Sequence, residues 1–199
     1  MTNEKDALMV ILVWVLAYLL GSISTAVLLA KIEGRDDPRT QGSKNAGATN
    51  VLRNSGKKSA AIVVVGDILK AWIAVKLGAA FGVGPFGLGI AACLVVVGHV
   101  FPVFFQFQGG KGVACIVGAI LGLNFFAGVL VIASWVATAY FSRYASLASL
   151  VATALGLIAI FFSSPAMSIG VLIAALLIFW KHLENMQRLK NGTEKKITL

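Results

Sequence analysis

Charge is scarce in this chain. Only 13% of its 199 residues are Asp, Glu, Lys or Arg, and 58% are hydrophobic. A soluble domain is nearer about a quarter charged. The mean hydropathy of +0.89 points the same way. These values exclude an ordinary soluble globule and imply one integral membrane domain over 1–199, with no room for a separate soluble unit. Acids are rarest, with eight Asp and Glu against seventeen Lys and Arg, a net charge of +9. Asp36, Asp37 and Asp67 lack the clustered spacing of a metal site, which argues against a metal-dependent CDP-alcohol phosphotransferase. Cysteine is nearly absent. Cys93 and Cys115 lie inside apolar runs without ligand spacing and read as small core hydrophobes. No metal is expected. The Gly-x-x-x-x-Gly-Lys-Ser/Thr pattern of a nucleotide-binding loop is missing, and no internal repeat of the transporter kind is visible. No soluble basic face exists to carry nucleic acid.

What is abundant is long apolar sequence. A span needs about 20 apolar residues, and 7–30, 59–81 and 86–106 qualify. Residues 7–30 are too long for a signal-peptide core and follow a lead of mixed charge, so they read as a retained first span. The tract 113–180 is cut at Asn124, at Ser142-Arg143 and at Ser163-Ser164-Pro165 into pieces near 113–123, 125–141, 145–162 and 166–180. The expectation is an all-α, polytopic integral membrane protein of about seven transmembrane helices. The piece 113–123 is short enough for a half-depth helix packed inside protein. A five-span count also keeps the two ends on opposite sides.

The basic residues set the orientation. Segment 31–58 holds seven Lys and Arg against three acids, and 181–199 holds five against two. Basic loops beside spans stay in the cytoplasm. The expected inner segments are therefore 31–58, 107–112, 142–144 and 181–199, with the N-terminus outside and the C-terminus cytoplasmic. The outer turns near 82–85, 124 and 163–165 carry no Lys or Arg. Some of these charges can equally serve topology and contact with anionic membrane lipid alone.

The remaining polar groups gather on that inner side. Ser43, Asn45, Thr49, Asn50 and Arg53 form a small-residue, donor-rich stretch suited to a phosphate. Gly109, Gly110, Lys111 and Gly112 taken alone read first as a tight turn between two helices; beside the other inward clusters they fit an anion nest opening a helix. His182, Asn185 and Arg188 are three apart and share one helix face. His99, about two helical turns inside its span, reads either as a structural hydrogen-bonding group or as support for a site beside Lys111. Asp67 and Lys70, three apart in the second span, read as a neutralised pair. Gly21-Ser22 and Ser24-Thr25 read as helix-packing residues.

Taken together, these blocks resemble the bacterial acyl-phosphate:glycerol-3-phosphate acyltransferase family. The resemblance rests on Gly42 to Arg53, on Gly98-His99-Val100-Phe101-Pro102 running on to Gly109-Gly110-Lys111-Gly112, and on His182-x-x-Asn185-x-x-Arg188-Leu189-x-x-Gly192-x-Glu194. Lys44 and Ala46 stand where the family pattern has Gly and Pro, and Lys181 stands where it has Arg. The resemblance implies acyl transfer from acyl phosphate to the 1-position of glycerol 3-phosphate in the bacterial inner membrane, giving lysophosphatidic acid and phosphate. It implies no cofactor, no coenzyme A and no obligate protein partner.

The residues suit that reaction. Two anionic substrates must be brought together, and proximity with cationic support can supply much of the rate. Ser43, Arg53, Lys111, His182 and Asn185 are the candidate catalytic residues. Asn45, Thr49, Asn50, His99, Gly109, Gly110, Gly112 and Arg188 are candidates for substrate binding. His182 is expected either to act as general base or to orient substrate while the acyl phosphate's own oxygen takes the proton. A covalent acyl-Ser43 is chemically possible and unneeded. The competing reading is a membrane transporter of a small organic phosphate. It predicts polar residues across the whole bilayer, whereas the outer halves here are apolar.

Overall fold

A computed structural model describes residues 4–197. Among them the secondary structure is helical throughout: α1 Glu4–Gly21, α2 Thr25–Ile32, α3 Ala48–Ala80, α4 Pro85–Val100, α5 Val113–Leu123, α6 Phe125–Ser142, α7 Ala145–Ser163, α8 Pro165–Lys181 and α9 Leu183–Lys190, with a 3-10 turn at Val103–Phe105. The starts carry their usual signals. Pro85 and Pro165 open α4 and α8, where a missing N–H costs nothing. Asn124 caps α6 by accepting from the Ala127 N–H at 3.0 Å.

The expected span 7–30 is a bent pair, α1 and α2 meeting at 43°. Serine and isoleucine at 22–24 interrupt it, and Ser24 caps α2. The expected span 59–81 is the second part of α3. That helix begins earlier, at Ala48, and kinks at Gly56, whose φ of 86° breaks the regular backbone. The segment read as a loop is helical there because Val51 and Leu52 have an apolar face to bury, against Ala26, Val27 and Leu29 of α2. By length and composition, Pro85–Phe105, Phe125–Ser142 and Ala145–Ser163 can each cross a membrane, and the bent pairs α1–α2 and α8–α9 bring the number to five. Helix α3 departs through Asp67, Lys70 and Lys76. Helix α5 departs through length: its 11 residues span about 16 Å, half of a hydrocarbon core of about 30 Å. Phe126, Phe141 and Phe162 point outward at the ends of α6 and α7, as expected of interfacial aromatics.

Helix α4 is the centre of the bundle. It packs against α1, α3, α5 and α8. Small residues let the backbones approach, which is how helices associate where lipid removes the hydrophobic drive. A Cβ on Gly98 would overlap the Tyr18 carbonyl of α1, and one on Gly170 the Gly89 carbonyl across the α4–α8 seam. Gly170→Leu is therefore expected to separate α4 from α8 and lower the melting temperature in detergent by about 5 °C or more, given about 1–3 kcal/mol for overpacking. Gly84→Ala, which meets open space, should leave it unchanged. Equal melting temperatures for the two variants would contradict the close-seam account.

Candidate active site

A cavity of about 1200 Å3 opens at the end of the bundle where α3 starts, α5 starts and α8 ends. Of the residues singled out from the sequence, Ser43, Asn45, Thr49, Asn50, Arg53, His99, Gly109, Lys111, Gly112, His182, Asn185 and Arg188 line it, and Gly110 does not. Gly110 is buried. Its N–H donates to the His99 carbonyl at 3.1 Å, and a Cβ there would overlap the His99 ring. Its place is to let the glycine loop lie on α4.

The first loop is held by Asn50. This side chain is 2% exposed. Its Oδ1 accepts from the Ser43 N–H at 3.0 Å, and its amide donates to the carbonyls of Pro38, Gln41 and Asn45 at 2.8, 3.1 and 3.1 Å. Asn50 thus shapes the loop, and its polar atoms are engaged before any substrate arrives. Arg39, which the sequence reading passed over, joins this loop to the next by donating to the Phe105 carbonyl at 2.8 Å while paired with Asp37 at 2.6 Å.

The third segment meets the second through one chain of hydrogen bonds. Lys111 donates to Asn185 Oδ1. The Asn185 amide donates to Glu194 Oε1 at 2.6 Å, and Ser146 Oγ donates to the same oxygen at 2.7 Å. Arg188 Nε donates to Glu194 Oε2 at 2.7 Å. Burial works against ionisation of Glu194, but the bonds from Arg188, Asn185 and Ser146 outweigh it and hold the carboxyl below its usual range. The residues after α9 then form a strap over the cavity. Arg53 donates to the Lys195 carbonyl at 3.2 Å, the Ile197 N–H donates to Arg143 O at 2.8 Å, and Ile197 is buried beside Ala139, Ala145 and Ala148. Glu194 stood at the edge of the sequence motif. Ser146 carried no local signal, being one of several serines in an apolar helix.

Beneath the glycine loop lies a buried polar cluster. Lys70 and Asp67 pair at 2.9 Å, as their spacing suggested, and His99 Nδ1 is 3.1 Å from Lys70 Nζ.

The glycerol-3-phosphate acyltransferase family model matches residues 11–192. The chain belongs to that family. It is 48% identical over 186 residues to a glycerol-3-phosphate acyltransferase of Coxiella burnetii, covering 93% of this chain and 96% of the relative. It is 45% identical over 190 residues to that of Pseudomonas syringae pv. tomato, covering 94% and 99%. Two crystal structures of PlsY (YgiH), an integral membrane glycerol 3-phosphate acyltransferase, share the fold at 34% identity. The glycerol 3-phosphate form has a TM-score of 0.89 over 95% of this chain and 96% of its own. The lysophosphatidic acid form has 0.87 over 95% of each.

Against the acyltransferase pattern, Lys44 now has a physical meaning. It adopts φ 54°, a left-handed backbone that glycine takes freely and other residues take at a cost of about 1–2 kcal/mol. The loop keeps the glycine conformation without the glycine. Lys44→Gly is expected to hold or raise the melting temperature, and Lys44→Val to lower it by about 2–4 °C. Equal effects would contradict a left-handed Lys44.

The imidazole of His182 is 4% exposed. Its Nδ1 lies 2.8 Å from the Ile178 carbonyl. A carbonyl only accepts, so Nδ1 carries the proton and Nε2 keeps its lone pair. Among the described residues no fully buried side-chain nitrogen lacks a partner, so the unpartnered Nε2 meets the cavity that His182 lines. Burial, together with the nearby Lys111 ammonium, pushes the ring down to about 4. Burial and the neighbouring Arg188 also lower Lys111. A group depressed in this direction stays neutral as pH falls through the ordinary histidine range. In the empty enzyme, 15N NMR should show His182 neutral at pH 6 and charging near pH 4. Titration near pH 6.5 would overturn the assignment.

Proposed function

We propose that this protein transfers a fatty acyl group from acyl phosphate to the 1-hydroxyl of sn-glycerol 3-phosphate, releasing lysophosphatidic acid and inorganic phosphate. The observation that carries the reading is that one cavity joins two basic, donor-rich loops and a neutral imidazole to an apolar wall. That wall is made by Val64 and Ile68 of α3, Val113 and Val117 of α5, and Ile132 and Val136 of α6. Head groups dock at the cationic end, and the acyl chain lies along the wall, continuous with lipid. The likeness to PlsY in its glycerol 3-phosphate and lysophosphatidic acid forms supports these substrates.

In this scheme Arg53, Lys111 and the amides of Gly109 and Gly112 oppose the repulsion between two phosphates. Ser43, Asn45 and Thr49 complete the cradle, Asn185 steers Lys111, and Arg188 holds the strap. His182 Nε2 accepts the hydrogen bond of the attacking hydroxyl and aims it at the acyl carbonyl. The new carbon–oxygen bond forms, the bond from the carbonyl carbon to the phosphate oxygen breaks, and the proton ends on the departing phosphate. The depressed basicity of His182 favours this orienting role over full proton uptake. No cofactor enters the scheme. The same reading puts seven segments in the bilayer, with α5 at half depth, the N-terminus outside, and the cavity and C-terminus facing the cytoplasm of a bacterial inner membrane. The placement of Lys and Arg supports it.

Purified protein in detergent, mixed with palmitoyl phosphate and glycerol 3-phosphate, should release phosphate only when both are present. Palmitoyl-CoA should not replace the donor. Acceptance of palmitoyl-CoA with no release from palmitoyl phosphate would reject the donor assignment.

A further inference from the structure

The cluster under the glycine loop has a direction built into it. Lys70 is 7% exposed and Asp67 is 2% exposed. An ammonium has three N–H donors and no acceptor. Lys70 Nζ lies 2.9 Å from Asp67 Oδ1, 2.5 Å from the Ile23 carbonyl and 3.1 Å from His99 Nδ1. The three partners use all three donors. Thr25 Oγ1 donates to the same Asp67 oxygen at 2.9 Å, and the Cys115 thiol donates to the Asp67 carbonyl at 3.4 Å. Asp67 Oδ1 also faces His99 Nδ1, but at 3.6 Å it is beyond hydrogen-bond distance, whereas Lys70 Nζ is at 3.1 Å. Because Lys70 can only donate, His99 Nδ1 accepts, and the ring proton sits on Nε2. A second proton on Nδ1 would put two cations face to face inside the bundle.

His99 Nε2 is the ring atom that faces Gly110. It has no protein partner among the described residues, yet no fully buried side-chain nitrogen there is unpartnered. The ring lines the cavity, and its Nε2 edge lies directly under Gly110, where a Cβ would overlap it. We infer that Lys70 is a positioning residue that locks His99 as a neutral Nε2–H donor aimed at the phosphate held by the Gly109–Gly112 loop. The two histidines of this chain thereby take opposite tautomers: His182 accepts at Nε2, and His99 donates at Nε2. This inference rests on the acyl-transfer reading for the identity of the phosphate but not for the tautomer. The loop's phosphate is that of glycerol 3-phosphate or that of the acyl donor, and the two are separated below.

The chain has two histidines, so 15N NMR of the ring nitrogens in detergent or nanodiscs gives two signals sets, assigned with His182→Gln. His99 should show a protonated Nε2 and an unprotonated Nδ1 at neutral pH. Adding glycerol 3-phosphate or, separately, inorganic phosphate should shift Nε2–H and leave Nδ1 unmoved. Replacing the pair by Lys70→Met with Asp67→Asn keeps the site neutral and should redistribute the proton between the two nitrogens. Kinetically, His99→Phe should raise KM about tenfold for the substrate whose phosphate the loop holds, with the other KM little changed. His99→Gln, which restores an N–H, should recover part of it. The substrate whose KM moves identifies the phosphate. A protonated Nδ1 in the unaltered protein, an unchanged tautomer in the paired variant, or no KM change in His99→Phe would each overturn the proposal. Absence of acyl transfer with a correct tautomer would instead reject the function and leave the positioning intact.

Discussion

The ammonium of Lys70 is the interaction on which the rest of the structure turns. It is a full charge inside a helix bundle surrounded by lipid, where an unpaired ion costs several kcal/mol. Its three bonds tie the break between α1 and α2, through the Ile23 carbonyl, to Asp67 on α3 and His99 on α4. The interrupted backbone at residues 22–24 has carbonyls that a continuous helix would have satisfied, and water cannot reach them in hydrocarbon. Lys70 meets one of them. The same ammonium orders the ring on which the glycine loop rests. Helix packing and substrate chemistry therefore share one buried cation. Replacing only one member leaves a naked charge, so the cluster holds or fails as a unit.

Above that cluster the site is assembled from segments far apart in sequence. Asn50 folds the first loop on itself, Arg39 fastens it to the second, and Lys111 reaches the third through Asn185. Positive charge is dense here because the reaction joins two anions. Glu194 partly balances it, its carboxylate gathering Ser146, Asn185 and Arg188. The apolar wall beside these groups is shared by α3, α5 and α6, and α5, at 11 residues, is the shortest of the three.

Much of this was legible in the sequence because lipid imposes strict rules. Apolar tracts of span length, the breaks at Asn124, Ser142-Arg143 and Ser163-Ser164-Pro165, and the crowding of Lys and Arg into a few segments marked the helical pieces and the polar face. The three motif blocks marked the site. What escaped was set by three-dimensional neighbours. The helix at Ala48–Ser55 was hidden inside a polar motif, since its apolar residues face α2 alone. The bracing bonds of Asn50 and the packing of Gly110 on His99 left no mark in the sequence, because residue type does not tell which neighbours a group meets. Ser146 and Arg39 had no motif around them. A spacing of three suggested a pair in Asp67 and Lys70, but spacing along one helix says nothing of His99 on another.

The strap after α9 has a consequence for how the protein is made. Its last contacts, from Glu194 to Ile197, reach back to Arg53, Arg143 and Ser146, all of which leave the ribosome well before it. The spans enter the membrane in order, but the pocket stays unclosed until the final stretch of nascent chain has emerged and folded back. The strap is thus the last part of the cavity's wall to be put in place.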